Sequence, residues 1–341
     1  MATAPPPEHP TPRRWAQPYP IGDFLKVLAR NLTQRPSRKN PCGVDFLARD
    51  TVVDPQVRPA MRVLFLGDLM PIGRRRLVIG AELATMLGDA DHLVANFEGV
   101  IWPGPGPAPK VFAAQRHHDL RVAEAFVPHV PAERIVLSLA NNHAADFGPA
   151  ALAETVGRLR AGGFGLIGTV EQPGVRLGGR LHVAAATRWS NQPGAQLPWL
   201  GTGPDPLAAS LLDAEAEANL LFAHWGVEHE LYPRADMVAS AHRLLDRWDV
   251  IVGHHPHVPC PVSVVDHGAR PRLVAWSLGQ ASSFLRPPIY RRGLAVSAEL
   301  GPRPDGTWGA GEVSWRFVGL RADDHEVHLE TRPDCAWFPR R

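Results

Sequence analysis

Five short apolar runs in this chain each break off into carboxylate, amide or imidazole side chains, and no other feature restricts its fold so strongly. Gly67-Asp68 ends the first, Asn96-Phe97-Glu98 the second and Asn141-Asn142-His143 the third. His224-Trp225-Gly226 ends the fourth, and Gly253-His254-His255-Pro256-His257 the fifth. Short apolar runs alternating with helical periodicity are the pattern of layered α/β folds. In an open α/β sheet the functional groups gather just beyond the carboxyl ends of the strands, so clusters distant in sequence can meet in one crevice.

The periodicity predicts strands at Arg62–Leu66, His92–Ala95, Arg134–Leu139, Gly165–Ile167, Leu181–Ala185, Asn219–Ala223, Val250–Val252 and Arg272–Ala275. Helices are expected at Ala81–Leu87, Pro149–Ala161, Pro206–Ala216 and Ala235–Arg247, where apolar residues recur three and four apart. Closing strands are expected at Leu294–Leu300, Val313–Val318 and Val327–Thr331, and Pro- and Gly-rich loops at Trp102–Pro109 and Gln192–Pro206. Residues 1–59 read as a Pro- and Arg-rich arm that partly packs on a body spanning residues 60–341. In that arm Phe24, Leu25, Val27, Leu28 and Leu32 suit one face of a helix over Ile21–Leu32.

With 36 Lys plus Arg against 34 Asp plus Glu, the formal charge of +2 provides no general field for a polyanion, and nucleic acid is not expected as a partner. No export signal and no run of roughly 18 apolar residues is legible, so a soluble, cytoplasmic protein without a membrane segment is expected. Cys42, Cys260 and Cys335 form no CxxC pair, which fits a reducing compartment. The 16 histidines are the outlier, since imidazole both titrates near neutrality and ligates transition metals.

Two carboxylates, one or two amide oxygens and three or more imidazoles make a mixed O/N donor set that suits Mn, Fe or Zn better than Mg or Ca. Without a thiolate it is not a structural zinc site. Each cluster has a plainer reading: Asp68 as a turn residue, Asn-Asn-His as a polar turn, His224 as a core histidine. His254, His255 and His257 within four residues favour a metal, because three imidazoles packed without partners would be costly. Two ions about 3.5 to 4 Å apart could activate a water and neutralise charge in a displacement. His117, His118, His229, His242, His325 and His328 read as surface residues. Arg74, Arg75, Arg76 and Lys110 read either as contacts for phosphate or carboxylate or as a solvated basic turn.

Taken together, GDLM, NFE, NNHAADFG, HWGVE, GHHPH and SLGQ resemble the ordered motifs of the CapA/PgsA-type capsule (poly-γ-glutamate) synthesis family, within the calcineurin-like metallophosphatase superfamily. The resemblance covers about Met61 to Phe284. It implies an α/β (α+β) fold in which a β-sandwich is flanked by helices in αββα layers. It also implies Asp68, Glu98, Asn142, His224, His255 and His257 as metal ligands of two divalent transition-metal ions. His143 would be the adjacent acid or charge stabiliser, and Asp146 and Glu228 would orient His143 or His224. Arg74, Lys110, Glu228 and His254 are the candidate substrate contacts.

Departures from the family pattern bear on chemistry. Leu69 and Met70 follow Asp68 where many superfamily members have D-x-H, so the first metal would lack an imidazole. Glu98 takes the place of the usual bridging aspartate, and Gln280 replaces the asparagine of SLGN. The leading expectation is a dinuclear metal-dependent hydrolase of phosphoesters or related anionic small-molecule or polymer substrates, linked to capsule or poly-γ-glutamate biosynthesis. Alternatives are amide formation on the same metals, a single-metal hydrolase, or a non-catalytic partner that docks another protein through its N-terminal arm.

Overall fold

The computed structural model describes residues 19–104, 115–192, 195–201, 211–268, 270–285 and 287–338. In chain order the elements are α1 (Ile21–Thr33), β1 (Asp50–Val52), β2 (Met61–Leu69), β3 (Arg76–Ile79), α2 (Ala81–Gly88), β4 (His92–Phe97), α3 (Arg121–Glu124), β5 (Ile135–Ser138), α4 (Pro149–Ala161) and β6 (Gly165–Ile167). They continue with β7 (Gly174–Leu177), β8 (Leu181–Thr187), β9 (Ala218–His224), α5 (Ala235–Leu245), β10 (Val250–His254), β11 (Val262–His267), β12 (Arg270–Ala275), β13 (Gln280–Ser282), β14 (Arg292–Pro302), β15 (Trp308–Ala322) and β16 (Glu326–Arg332).

A ten-stranded sheet runs β3-β16-β15-β14-β2-β4-β5-β6, with β1 added to β15 and β13 to β2, and a six-stranded sheet runs β11-β12-β10-β9-β8-β7. Successive strand residues point to opposite faces, and in β2 this divides the side chains between two cores. Val63 and Phe65 enter the core between the sheets, where Phe65 stacks on Phe222 of β9 with ring centroids 6.4 Å apart. Leu64 and Leu66 face outward into a second core with Leu83 and Leu87 of α2 and Leu159 of α4. Leu221 and Ile251 on the far side of the smaller sheet pack in the same way on Met237 and Leu244 of α5. The result is four layers, αββα. Each fully buried Phe or Leu in them contributes about 1.5–3 kcal/mol.

Strands β2, β4, β5 and β6 are mutually parallel, as are β8, β9, β10 and β12. Their carboxyl ends carry the polar clusters, and the two sheets bring these ends together. Closeness of the backbones there depends on glycine. A Cβ on Gly67 would lie 2.0 Å from the Gly279 carbonyl oxygen, and one on Gly253 would lie 2.2 Å from that of Trp276.

Helix α1 docks by Phe24 and Val27, which pack with Tyr19 and Val227. Leu25 and Leu32 are exposed, and Leu28 is at the edge of exposure, so of the apolar face read from the sequence only Phe24 and Val27 dock. Polar pairings set the rotation: Arg234 holds Asp23 at 2.8 Å, Arg30 holds Glu230 at 2.6 Å, and Arg30 also donates to the Glu228 carbonyl at 2.9 Å. The helix expected at Pro206–Ala216 lies partly outside the described residues, and residues 211–216 form turns rather than α-helix. Edge strands β1, β3, β7, β11 and the short β13 complete the sheets beyond the strands read from the sequence. Among the described residues no helix is long and apolar enough to cross a membrane.

Candidate metal centre

Asp68, at the end of β2, is fully buried and central. Its Oδ2 lies 3.0 Å from His257 Nδ1 and accepts from the His255 backbone N–H at 3.3 Å. Its Oδ1 lies 3.3 Å from His254 Nδ1 and accepts from the Asn96 amide at 2.9 Å. Asn96 also donates to Glu98 Oε2 at 3.4 Å, so one amide ties the two carboxylates together. The other Glu98 oxygen lies 3.6 Å from His257 Nε2 and 3.9 Å from His143 Nε2.

From the smaller sheet, His224 and His254 are register partners at the ends of β9 and β10, with their Nδ1 atoms 2.8 Å apart. His224 Nε2 lies 3.0 Å from Asn142 Oδ1. Asn141 plays a bracing part: its amide donates to the Asn96 side-chain oxygen and to the Phe97 carbonyl, and its oxygen accepts the His143 N–H. His143 Nδ1 lies 2.6 Å from Asp146 Oδ2, which leaves Nε2 toward Glu98. The chain makes these approaches at a conformational cost. His255 has φ 100° and His257 φ 58°, in the left-handed region that side chains disfavour. Such strain is of order 1–3 kcal/mol per residue and collects at functional sites.

Burial shapes the protonation of the cluster. It opposes ionisation of Asp68, yet hydrogen bonds from His254 and His257 hold this carboxyl well below the usual carboxylate range. Burial and the neighbouring Asp68 push Glu98 well above it. Burial with adjacent imidazoles pushes His224 and His255 well down, keeping their rings neutral, and burial alone leads the lowering of His254. For His257 burial is outweighed by Glu98 and Asp68, and its value is raised to about 9.

The donors fit a cation. Asp68, His224 and His254 offer ligand atoms within 4.8 Å of one another, and so do Asp68, Glu98 and His257. Among the described residues Glu98 Oε1, His254 Nε2 and His255 Nδ1 are buried without a hydrogen-bond partner. Polar atoms in such a setting cost about 1–3 kcal/mol each unless something binds them, and two neutral imidazole nitrogens and a carboxylate oxygen are what a divalent transition metal takes.

Several placements differ from the sequence reading. His229 and His118 are buried, not on the surface. Neither ring nitrogen of His229 has a partner among the described residues, and the ring packs edge-on to Tyr290 at 5.1 Å, within 6.4 Å of His257. His118 stacks on Phe97, centroids 3.8 Å apart. Glu228 meets Tyr19 at 3.2 Å. Arg74 is exposed on the turn before β3, where Arg76 pairs with Glu326 at 2.8 Å, and Lys110 lies outside the described residues. The guanidinium whose charge acts on Glu98 is that of Arg116, a residue outside every sequence motif. Gln280 is buried beside Asp68: its amide oxygen accepts from His257 Nδ1 at 3.1 Å and its nitrogen donates to the Asp68 carbonyl at 3.3 Å. Trp225 is core, stacked on Trp276.

A buried, two-sheet cluster of carboxylates, amides and imidazoles defines a candidate metal-centre protein of αββα architecture. The family model of the bacterial capsule synthesis protein PGA_cap matches residues 63–283, and the chain belongs to that family. Over 167 residues it is 29% identical to the capsule biosynthesis protein CapA of Bacillus anthracis, a match covering 42% of this chain and 39% of that protein. The chain thus spans well under half the length of this curated relative. Among solved structures it is similar to a hypothetical protein from Thermus thermophilus, with TM-score 0.46 and 17% identity over 76% of this chain and 99% of the other. It is also similar to the calcineurin-like phosphoesterase YfkN of Bacillus subtilis, with TM-score 0.40 and 13% identity over 75% and 90% of the two chains.

Proposed function

We propose that this protein is a metal-dependent hydrolase with a two-ion centre, acting on a phosphoester or related anionic group of a capsule-type polymer or its precursor. The observation that carries this reading is the set of three orphaned buried donors, Glu98 Oε1, His254 Nε2 and His255 Nδ1, inside a cluster of groups from both sheets. Asp68, Glu98 and His257 would hold one ion, and Asn142, His224 and the His254-His255 pair, with Asp68 alongside, the other. Divalent ions bound there supply Lewis acidity and neutralise charge on attacking and leaving oxygens.

The chain's own groups divide the remaining work. Asp146 accepts the Nδ1 proton of His143 and so fixes its ring, leaving Nε2 to deliver a proton to a leaving oxygen or to stabilise negative charge. Asn141, by accepting the His143 backbone N–H, holds the loop that presents it. Arg116 provides positive charge near Glu98 for an anionic substrate.

The test is elemental analysis of protein purified without chelator, alongside a His255→Ala, His257→Ala double variant and a phosphoester panel with added Mn, Fe or Zn. About two ions per chain, lost together with turnover in the variant, is the expected result. A chain that takes up no metal under any loading condition overturns the reading.

A further inference from the structure

Outside the span matched by the family, one side chain from the N-terminal segment reaches the centre. Tyr19 is buried, its ring lies edge-on to Trp189 with centroids 4.8 Å apart, and its phenolic oxygen touches His255 Nε2 while standing 3.2 Å from Glu228 Oε1. The segment is fastened close by. Arg30 of α1 donates to the Glu228 carbonyl and pairs with Glu230, and Arg234 pairs with Asp23, so α1 and the stretch after His224 are tied together.

A phenol has one proton to give, and a carboxylate can only accept. Tyr19 therefore donates to Glu228, and its oxygen is left to accept from His255 Nε2–H. With the ring proton at Nε2, the lone pair is on Nδ1, the buried nitrogen that has no partner among the described residues. A histidine that ligates a metal through one nitrogen commonly has the other held by a hydrogen-bond acceptor, and losing that acceptor weakens metal binding by about 10–100-fold.

The geometry points to Tyr19 as a positioning residue of the metal centre: the relay from His255 through Tyr19 to Glu228 fixes the His255 ring with Nδ1 open as a ligand. The N-terminal segment is thereby part of the site. This inference rests on the metal reading above and extends it to a residue that no family motif contains.

The experiment uses the full chain stripped of metal and titrated with cobalt(II), following visible absorption and competition with a chelator of known affinity. Tyr19→Phe keeps the ring against Trp189 and removes only the hydroxyl. A fall in cobalt affinity of about 10-fold or more, with the melting temperature of the metal-free protein unchanged, supports the relay. Should Tyr19→Phe lower the metal-free melting temperature, Glu228→Leu, which removes the final acceptor and leaves the tyrosine in place, carries the same expectation. Cobalt affinity that is unchanged or tighter in these variants overturns the relay and leaves the metal reading standing. Wild-type protein that takes up no cobalt overturns both.

Discussion

Gln280 and Asp68 are register partners in the parallel pairing of β13 with β2, and the Gln280 amide spans from the Asp68 backbone carbonyl to the ring of His257. One side chain thus links the backbone of a carboxylate-bearing strand end in the larger sheet to an imidazole presented by the smaller. Replacing Gln280 with Leu leaves its partners buried without it. The expected cost is about 1–3 kcal/mol in chemical denaturation, with metal affinity reduced about 10-fold or more. Wild-type affinity in this variant would mean that His257 is held by Asp68 alone.

The close approach of β2 to the residues just before β13 forbids a side chain at Gly67. In Gly67→Ala the new Cβ would fall 2.0 Å from a backbone oxygen, that of Gly279, which accepts the Asp68 N–H. Neither partner is a flexible side-chain end, so the strands must part. We expect a loss of about 3 kcal/mol or more, measured as the shift of the denaturation midpoint at constant m-value. A loss under about 1 kcal/mol would contradict the packing described.

Added metal should stabilise the fold. At free ion 100 times the dissociation constant, each site contributes about 2.7 kcal/mol, which in a thermal melt is a rise of several degrees that a chelator reverses. Asp68 belongs to both candidate ligand groups, so Asp68→Asn should abolish the rise. A melting temperature indifferent to Mn, Fe and Zn in the wild type would count against a cation at this position.

His118 gives the fold a pH dependence of its own. Its Nε2–H donates to the Leu69 carbonyl at 2.7 Å and its Nδ1 accepts from the Asp119 N–H at 2.9 Å, a fully used neutral ring. Burial pushes its value down to about 4, against about 6.5 in an unfolded chain. Between these values the unfolded chain binds the proton and the folded one does not. The contribution of the neutral ring is therefore whole above about pH 6.5 and is lost as pH falls toward 4, by up to roughly 3 kcal/mol. The difference in unfolding free energy between wild type and His118→Phe should shift by that amount over the window. A flat difference would place the acid sensitivity elsewhere.

How much of the molecule is legible in its sequence divides along physical lines. Strands β2, β4, β9 and β10 stand out because each is apolar on both faces and ends in polar residues. The edge strands β1 and β7 do not, being three or four residues long with largely exposed or half-buried side chains. Asp68, Glu98, Asn142, His224 and His257 can be gathered from their strand-end positions and the family motifs. Tyr19 and His229 cannot, because what buries them is contact with segments far away in the chain, which leaves no periodic mark. The α1 face is legible only in part for the same reason: Phe24 and Val27 dock as read, while Asp23 and Arg30 find ionic partners on the body and Leu25 and Leu32 stay exposed.

The order of strands also bears on how the molecule comes into being. The chain leaves the larger sheet after β6, lays down all six strands of the smaller one, and only then returns through β13 and β14. As it emerges from the ribosome, β2 waits with one edge open until β14 arrives more than two hundred residues later. Asp68 and Glu98 are synthesised well before His224 and His257. The candidate centre is therefore complete only near the end of assembly, and an ion bound by both layers would record that a newly made chain has closed.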